Sequence, residues 1–317
     1  MEFDQFKEEL NKTLSIRVKE QLSGTLRTDL LPKSGGPKHG ITYMPRDGTV
    51  GMTFYAEDVY QDYQTGNTID QIADNIFQTI KEYSEKLPVD MDFKEIIKPE
   101  NIIPELIPAE GNEEFLKMVP HVPFGNLQII FKFNFPDFSW GAAKANVPYG
   151  YLEQLGWNEE KLLAAAVNNP IYKDDIRLIP LAGAMFGMQG KSVKDDLSFL
   201  DDLSEKMVVI TNSSKDYGAS AILDKDAMSR VAEAFGGNVY ILPINVDECL
   251  LTPEDEMLLG DLRELLYKTN HECLPPEGRL SDEIYRFDSI TKEITMASGQ
   301  KERSERQEPK DSEPQRR

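Results

Sequence analysis

The chain has 317 residues, of which 40% are hydrophobic and 28% are charged, as in ordinary folded soluble proteins. This composition excludes collagen, coiled coil and disorder as descriptions of the whole chain. Asp and Glu number 55 against 35 Lys and Arg, so the formal net charge is −20. That charge argues against direct nucleic-acid binding, which needs a basic surface, and it suits a basic protein partner.

Thiol content and hydropathy predict a cytoplasmic protein. Cys249 and Cys273 form no CxxC pair and no metal-ligand spacing, which favours a reducing compartment. The first ten residues lack the apolar core of a signal peptide, and no apolar run is long enough to span a membrane. The three histidines are scattered, so we expect neither a metal nor another cofactor.

Hydrophobic periodicity organises the first half of the chain. Apolar residues recur every three or four positions from Phe3 to Leu22, which predicts a helix ended by Gly24. A flexible loop at 33–40 is predicted next, followed by a hairpin of 41–44 with 50–55 and a helix at 56–65. The following helix is capped by Thr68 and Gln71 and ends at Pro88. The remaining predicted elements are strands at 93–97 and 102–107, a short helix at 112–119, strands at 126–135 and 142–147, and a helix that begins at its cap Asn158 and ends near 167.

The second half alternates hairpins with single helices. Its predicted elements are a strand at 176–182, an acidic helix at 193–206, a hairpin of 207–211 with 219–223, a helix at 224–235, strands at 238–243 and 249–252, a helix at 254–268 opened by Pro253, and a hairpin of 283–287 with 293–296. This order predicts an α+β fold of mainly antiparallel sheets packed with amphipathic helices. We divide the chain into an N-terminal α+β region (1–190), a C-terminal α+β region (191–298, ββαββα plus a hairpin) and a disordered tail of mixed charge (299–317).

Two motifs resemble known chemistry without completing it. The stretch GAMFGMQGKS at 183–192 ends like a phosphate-binding loop, but Met185 stands where that loop needs its first glycine. We therefore expect a flexible connector there. His271 and Cys273 lie too close in sequence for a held dyad, and Glu272 and Glu277 oppose activation of the thiol.

Acidic residues form the third candidate, because paired carboxylates can act as acid and base. Most of them lie on the predicted outer face or in the first turn of a helix, namely Asp195, Asp196, Asp201, Asp202, Glu254, Asp255 and Glu256. Asp247 and Glu248 differ, since they sit in a break between two strands. We expect Glu248 to accept backbone N–H groups that the break leaves unpaired, with a ligand contact as the alternative.

The block from Met207 to Asp255 resembles the bacterial domain-of-unknown-function family 5688 of Gram-positive anaerobes. The matching strings are VITN at 209–212, GAS at 218–220, AFG at 234–236 and YILP at 240–243, and the similarity extends over about residues 3 to 297. Members often have Ser-x-His-Glu where this chain has Asn245-Val246-Asp247-Glu248, so only Glu248 of that tetrad is retained. The resemblance implies no known activity.

No complete catalytic constellation accompanies the large negative charge. The sequence therefore favours a soluble, acidic, non-enzymatic interaction or accessory protein. The alternative is a hydrolase-like enzyme that uses Asp247 and Glu248 at the strand break.

Overall fold

The computed structural model describes residues 1–31, 33, 35–46, 51–86, 97–138, 141–200, 206–254, 257–275 and 278–297. The predicted tail at 299–317, Pro88 and most of the predicted strand at 93–97 lie outside these ranges. Two compact units can be distinguished. The first contains Met1–Asn101, Gly111–Val119 and Phe133–Asn146, and the second contains Ile102–Glu110, Pro120–Lys132 and the chain from Val147 onward. These bounds differ from the predicted division into regions 1–190 and 191–298, which stays a prediction.

The first unit packs helices against a three-stranded antiparallel sheet. Phe6, Leu10, Leu14 and Val18 recur on one face of the first helix and are buried, which confirms the predicted amphipathic helix. They share a core with Ile41 and Tyr43 of the sheet and with an apolar face of the third helix. The elements are α1 Phe3–Gln21, β1 Gly24–Leu31, β2 Lys38–Pro45, β3 Met52–Tyr55, α2 Ala56–Gln64, α3 Ile69–Lys86, α4 Glu113–Leu116 and β7 Gly141–Asn146.

Strand β1 was not predicted. Gly24 does not simply end the first helix but begins a strand that pairs with β2 along its whole length. A Cβ at Gly24 would lie 2.3 Å from the Tyr43 ring, so only glycine allows this approach. The prediction of a loop at 33–40 is partly wrong, because β2 already begins at Lys38 and pairs with β1. The predicted capping box is confirmed, with the Gln71 N–H donating to Thr68 Oγ1 at 3.2 Å.

The second unit is built on a seven-stranded antiparallel sheet in the order β14-β13-β11-β12-β10-β8-β9. Its elements are β4 Ile102–Pro108, β5 His121–Phe124, α5 Tyr149–Leu155, α6 Glu159–Val167, α7 Pro170–Asp174, β8 Ile176–Pro180, α8 Leu181–Met185, β9 Lys191–Ser192, β10 Val208–Asn212, α9 Lys225–Phe235, β11 Val239–Asn245, β12 Glu248–Pro253, α10 Leu259–Lys268, β13 Tyr285–Phe287 and β14 Ile294–Met296. Strand β6, Leu127–Phe138, runs through both units and pairs with β4, β5 and β7. The predicted α+β class with mainly antiparallel sheets is confirmed.

The predicted hairpin of 207–211 with 219–223 is wrong. Gly218–Leu223 forms a buried 3₁₀ helix, and β10 pairs instead with β8 and β12. Lys215 and Tyr217 both have a φ of 54°, a left-handed conformation that turns the chain out of the sheet plane. Strand propensity in residues 219–223 is therefore overridden by the turn before them.

Two helix predictions are also corrected. Residues 193–200 hold only a 3₁₀ turn at Ser198–Leu200, because the Asp196 carboxylate accepts the N–H and O–H of Ser198 and competes with helix hydrogen bonds. Pro253 ends β12 instead of opening a helix, and the Glu254 N–H extends the strand pairing to the Asn238 carbonyl. Helix α10 starts only at Leu259. The last predicted hairpin is confirmed, with Tyr285 opposite Met296.

Candidate functional site

The break between β11 and β12 is a side-chain-stabilised turn. Asn245 Oδ1 accepts the backbone N–H groups of Asp247 at 2.8 Å and of Glu248 at 2.9 Å. Asn245 is also the strand partner of Glu248, after a register shift that begins at Leu242. Asn245 therefore satisfies the two N–H groups that the strand break removes from the ladder.

Asp247 ties this turn to the loop that follows β10. Its Oδ1 accepts the Tyr217 N–H at 2.9 Å, and its carbonyl oxygen accepts a hydrogen bond from Thr211 Oγ1 at 2.7 Å. The backbone carbonyl of the preceding residue, Val246, accepts the Ala219 N–H. Asp247 thus holds the left-handed Tyr217 in place, a structural task that occupies one of the two predicted carboxylates.

Glu248 is half-buried, and its carboxylate makes no hydrogen bond or ion pair with any other described residue. The expectation that Glu248 caps the strand break is wrong, because Asn245 does so. Burial raises the pKa of Glu248, the Lys215 ammonium opposes that shift, and the charge of Asp247 adds to it. The turn therefore presents one half-buried carboxylate with an electrostatic counterpart at Lys215.

Three other residues near this hairpin, Cys249, Asn212 and Tyr240, do not form a catalytic set with Glu248. Cys249 is fully buried, its Sγ lies 3.7 Å from the Ala219 carbonyl, and burial raises the pKa of its thiol far above the usual range. Asn212 lies at the same end of the sheet, where its Oδ1 accepts the Asp216 N–H. Tyr240 lies at the opposite end of the hairpin, opposite Thr252. A buried, protonated thiol is inert, so Cys249 adds no nucleophile beside Glu248.

His271 and Cys273 do not form a dyad. His271 Nε2 lies 2.8 Å from Asp282 Oδ2, and its Nδ1 lies 3.3 Å from an Arg279 guanidinium nitrogen. The ring also stacks on Tyr267. Burial raises the pKa of Asp282, but hydrogen bonds from His271 and Asn270 outweigh it and lower that pKa. Both imidazole nitrogens are occupied, so neither serves the exposed Cys273.

The other acidic candidates are dispersed. Asp195 and Asp196 are exposed, and Glu254 forms a two-point ion pair with Arg286 at 2.7 and 3.1 Å. Asp201, Asp202, Asp255 and Glu256 lie outside the described residues. Among the residues that the structure describes, no three His, Cys, Asp or Glu side chains come together as a metal site.

The stretch 183–192 contains a hydrogen-bonded turn, and the flexibility expected of it stays a prediction. Helix α8 ends with the Met188 N–H on the Gly183 carbonyl and the Gly187 N–H on the Ala184 carbonyl. Gly187 has a φ of 70°, and these two bonds make a Schellman motif. The turn holds Phe186 with 87% of its surface exposed, between exposed Met185 and Met188. We call Met185, Phe186 and Met188 the apolar turn; the sequence alone did not indicate that these side chains are exposed.

Comparison with known proteins identifies a family. The model of a family of unknown function, DUF5688, matches residues 3–289. The chain belongs to this family. The DUF5688 match spans every described helix and strand except β14, and it confirms the resemblance seen in the sequence. No curated protein and no solved structure matches the chain. No described helix of this DUF5688 protein is long and apolar enough to cross a membrane.

Proposed function

We propose that this bacterial, cytoplasmic DUF5688 protein is a non-enzymatic interaction protein, and that its apolar turn binds a basic amphipathic segment of a partner protein. The observation that carries the proposal is the exposure of Phe186 on a hydrogen-bonded turn. An aromatic ring on a hydrogen-bonded turn loses little conformational freedom on binding, and aromatic anchors dominate interface energetics. Met185 and Met188 on either side supply adaptable apolar contacts.

A second segment that borders the same core cluster as the apolar turn also exposes an apolar side chain. Leu181 and Ala184 of α8 pack against the same core cluster as Met257 and Leu259. Leu258, between the latter two, is exposed. Two segments that border one core cluster thus each expose large apolar side chains, which is the pattern of an interaction surface.

Charge decides which kind of partner fits. The formal net charge of −20 repels acidic proteins and attracts basic ones. Asp261 in the first turn of α10 places one such charge one helical turn from Leu258. A segment with apolar residues on one face and Lys or Arg on the other satisfies both features.

The test uses a labelled helical peptide of Leu and Lys, with a Leu and Glu peptide of the same pattern as the charge control. Fluorescence anisotropy should show saturable binding of the basic peptide only. Phe186→Ser should weaken it by about thirtyfold or more, the loss of one interface hot spot. Ile290→Ser is the matched control, because Ile290 is equally exposed, at 89%, but lies in the turn between β13 and β14.

Three results would contradict the proposal. They are an absence of saturable binding, equal losses in the Phe186 and Ile290 variants, and equal affinity for the acidic peptide. Concentration-dependent dimerisation that Phe186→Ser abolishes, measured by light scattering, would assign the apolar turn to a second copy of the chain instead.

One observation favours the alternative of a hydrolase-like enzyme. Glu248 is a half-buried carboxylate with a raised pKa and no hydrogen-bonding partner among the described residues, the state expected of a general acid or base. Asp247 contributes less, since it holds Tyr217. Turnover of an ester or glycoside substrate that Glu248→Gln abolishes and Asp282→Asn leaves intact would support the enzyme and overturn the interaction proposal.

A further inference from the structure

A cleft of about 310 Å³ opens in the second unit, and neither the apolar turn nor Glu248 contributes to its lining. Its walls are apolar side chains from five elements, namely Phe124, Ile129, Leu163, Val167, Leu223 and Ile294. Lys225 and Glu293 complete the lining, and both are exposed, so they stand at its opening. An apolar cleft of this size with a few polar groups at one end is typical of a small-molecule site.

Packing contacts anchor part of the cleft wall. Phe124 stacks on Tyr285 with ring centres 5.3 Å apart and planes within 7°. The Tyr285 hydroxyl donates to Asn126 Oδ1 at 2.5 Å, accepts the Asn126 N–H at 3.2 Å and lies 3.2 Å from the Phe124 carbonyl oxygen. On α6, Leu162 and Ala166 are buried in the core, while the next residues along the helix, Leu163 and Val167, line the cleft. Tyr285 and the core contacts of α6 thus anchor three of the apolar side chains of the cleft, Phe124, Leu163 and Val167.

The two charges at the opening have no partner among the described residues. Lys225 is the first residue of α9, and the carboxylates nearest in sequence are engaged elsewhere. Asp224 accepts the N–H groups of Asp226 and Ala227, and Asp226 binds Lys173 at 2.7 Å. An ammonium at this end of a helix is opposed by the helix dipole, so Lys225 is not there to stabilise α9. Glu293 makes no side-chain ion pair with a described residue either.

We propose that this cleft binds a zwitterionic small molecule with a large apolar group, the chemistry of a hydrophobic α-amino acid. The ligand carboxylate pairs with Lys225, its ammonium pairs with Glu293, and its apolar side chain fills the cleft. An apolar acid would meet the negative charge of Glu293, and an apolar amine would meet the positive charge of Lys225. Only a ligand with both charges satisfies both residues.

Titration calorimetry on the full chain tests the ligand chemistry. L-Phenylalanine should bind saturably, in the millimolar range or tighter. 3-Phenylpropionate lacks the ammonium and phenethylamine lacks the carboxylate, and each should bind at least about tenfold more weakly, the loss of one charge-assisted hydrogen bond. Equal affinity for either analogue, or no saturable binding of phenylalanine, leucine or tryptophan, would overturn the proposal.

Variants locate the binding site. Lys225→Gln and Glu293→Gln should each weaken phenylalanine binding about tenfold or more. Leu163→Trp should abolish it by filling the cleft, with circular dichroism to show that the variant folds. Lys12→Gln is the matched control, because Lys12 is an exposed lysine of α1 in the first unit. Unchanged binding by Leu163→Trp would place the ligand elsewhere and overturn the assignment, as would equal losses in the Lys225 and Lys12 variants.

Discussion

Gly218 lies where β10, the 3₁₀ helix and the Asp247 turn meet, and Gly218→Ala tests this junction directly. A Cβ there would lie 2.4 Å from Thr211 Oγ1, 2.6 Å from the Asn212 nitrogen and 2.6 Å from the Asp247 carbonyl oxygen. Two of these three atoms belong to the backbone, so a side-chain rotation does not relieve the clash. The substitution must push the Asp247 turn away from β10.

We expect Gly218→Ala to lower the free energy of unfolding by about 2–4 kcal/mol. About 1–3 kcal/mol comes from overpacking, and about 1 kcal/mol comes from the Thr211–Asp247 hydrogen bond that the displacement breaks. Urea unfolding followed by circular dichroism measures the loss.

Gly260→Ala is the control for Gly218→Ala. Gly260 lies in α10 of the same unit, and a Cβ there meets no atom within 4 Å. Because alanine favours helix over glycine, this variant should be as stable as the parent or up to about 1 kcal/mol more stable. A loss below about 0.5 kcal/mol for Gly218→Ala would refute the close approach of the three segments.

Three further substitutions probe the second unit. Leu242→Ala should cost about 2–5 kcal/mol in a urea melt, because Leu242 is 1% exposed in the core cluster; a cost under about 1 kcal/mol would contradict its inward position. Burial raises the pKa of Glu248 above 4.5, so its contribution to stability is full below that pH and is lost as the pH rises through the folded-state value. Glu248→Gln should therefore be more stable than the parent at neutral pH but not at about pH 4, and a pH-independent difference would count against this. Hydrogen bonds from the Thr291 N–H, the Arg286 guanidinium and the Ile290 N–H lower the pKa of Asp288 from 3.8 to about 2. Asp288→Asn should therefore be less stable than the parent above pH 3.8. Thermal melts at a series of pH values should show this difference vanish as the pH falls towards 2.

Local patterns were sufficient where an element depends mainly on its own sequence. Helix α1 follows from the spacing of Phe6, Leu10 and Leu14, and the cap of α6 follows from Asn158, whose Oδ1 accepts the Lys161 N–H. The last hairpin likewise forms from two short runs joined by a tight turn. In these cases the residues that define the element lie in one continuous stretch of about twenty residues or fewer, so a local sequence pattern contains all of them.

Local sequence patterns gave wrong predictions where contacts between distant residues determine the structure. Residues 219–223 have strand-like composition, but the left-handed Lys215 and Tyr217 and the Asp247 contacts bend them into a 3₁₀ helix. The sequence predicts that Glu248 caps the strand break, but Asn245 does so in the structure. Asn245 Oδ1 accepts the backbone N–H groups of Asp247 and Glu248, two and three residues later. Which of several nearby polar side chains caps a turn depends on backbone angles that residue types alone do not specify.

The amino-acid sequence by itself determined the α+β class, the acidic character and membership of DUF5688, because composition, periodicity and motif strings are properties of the chain alone. Tertiary structure decided the candidate sites. The cleft joins Phe124 to Ile294 across 170 residues, and the exposure of Phe186 depends on which neighbours leave it uncovered. The burial of a side chain and the identity of its neighbours depend on parts of the chain that are distant in sequence, and only the folded structure brings those parts together.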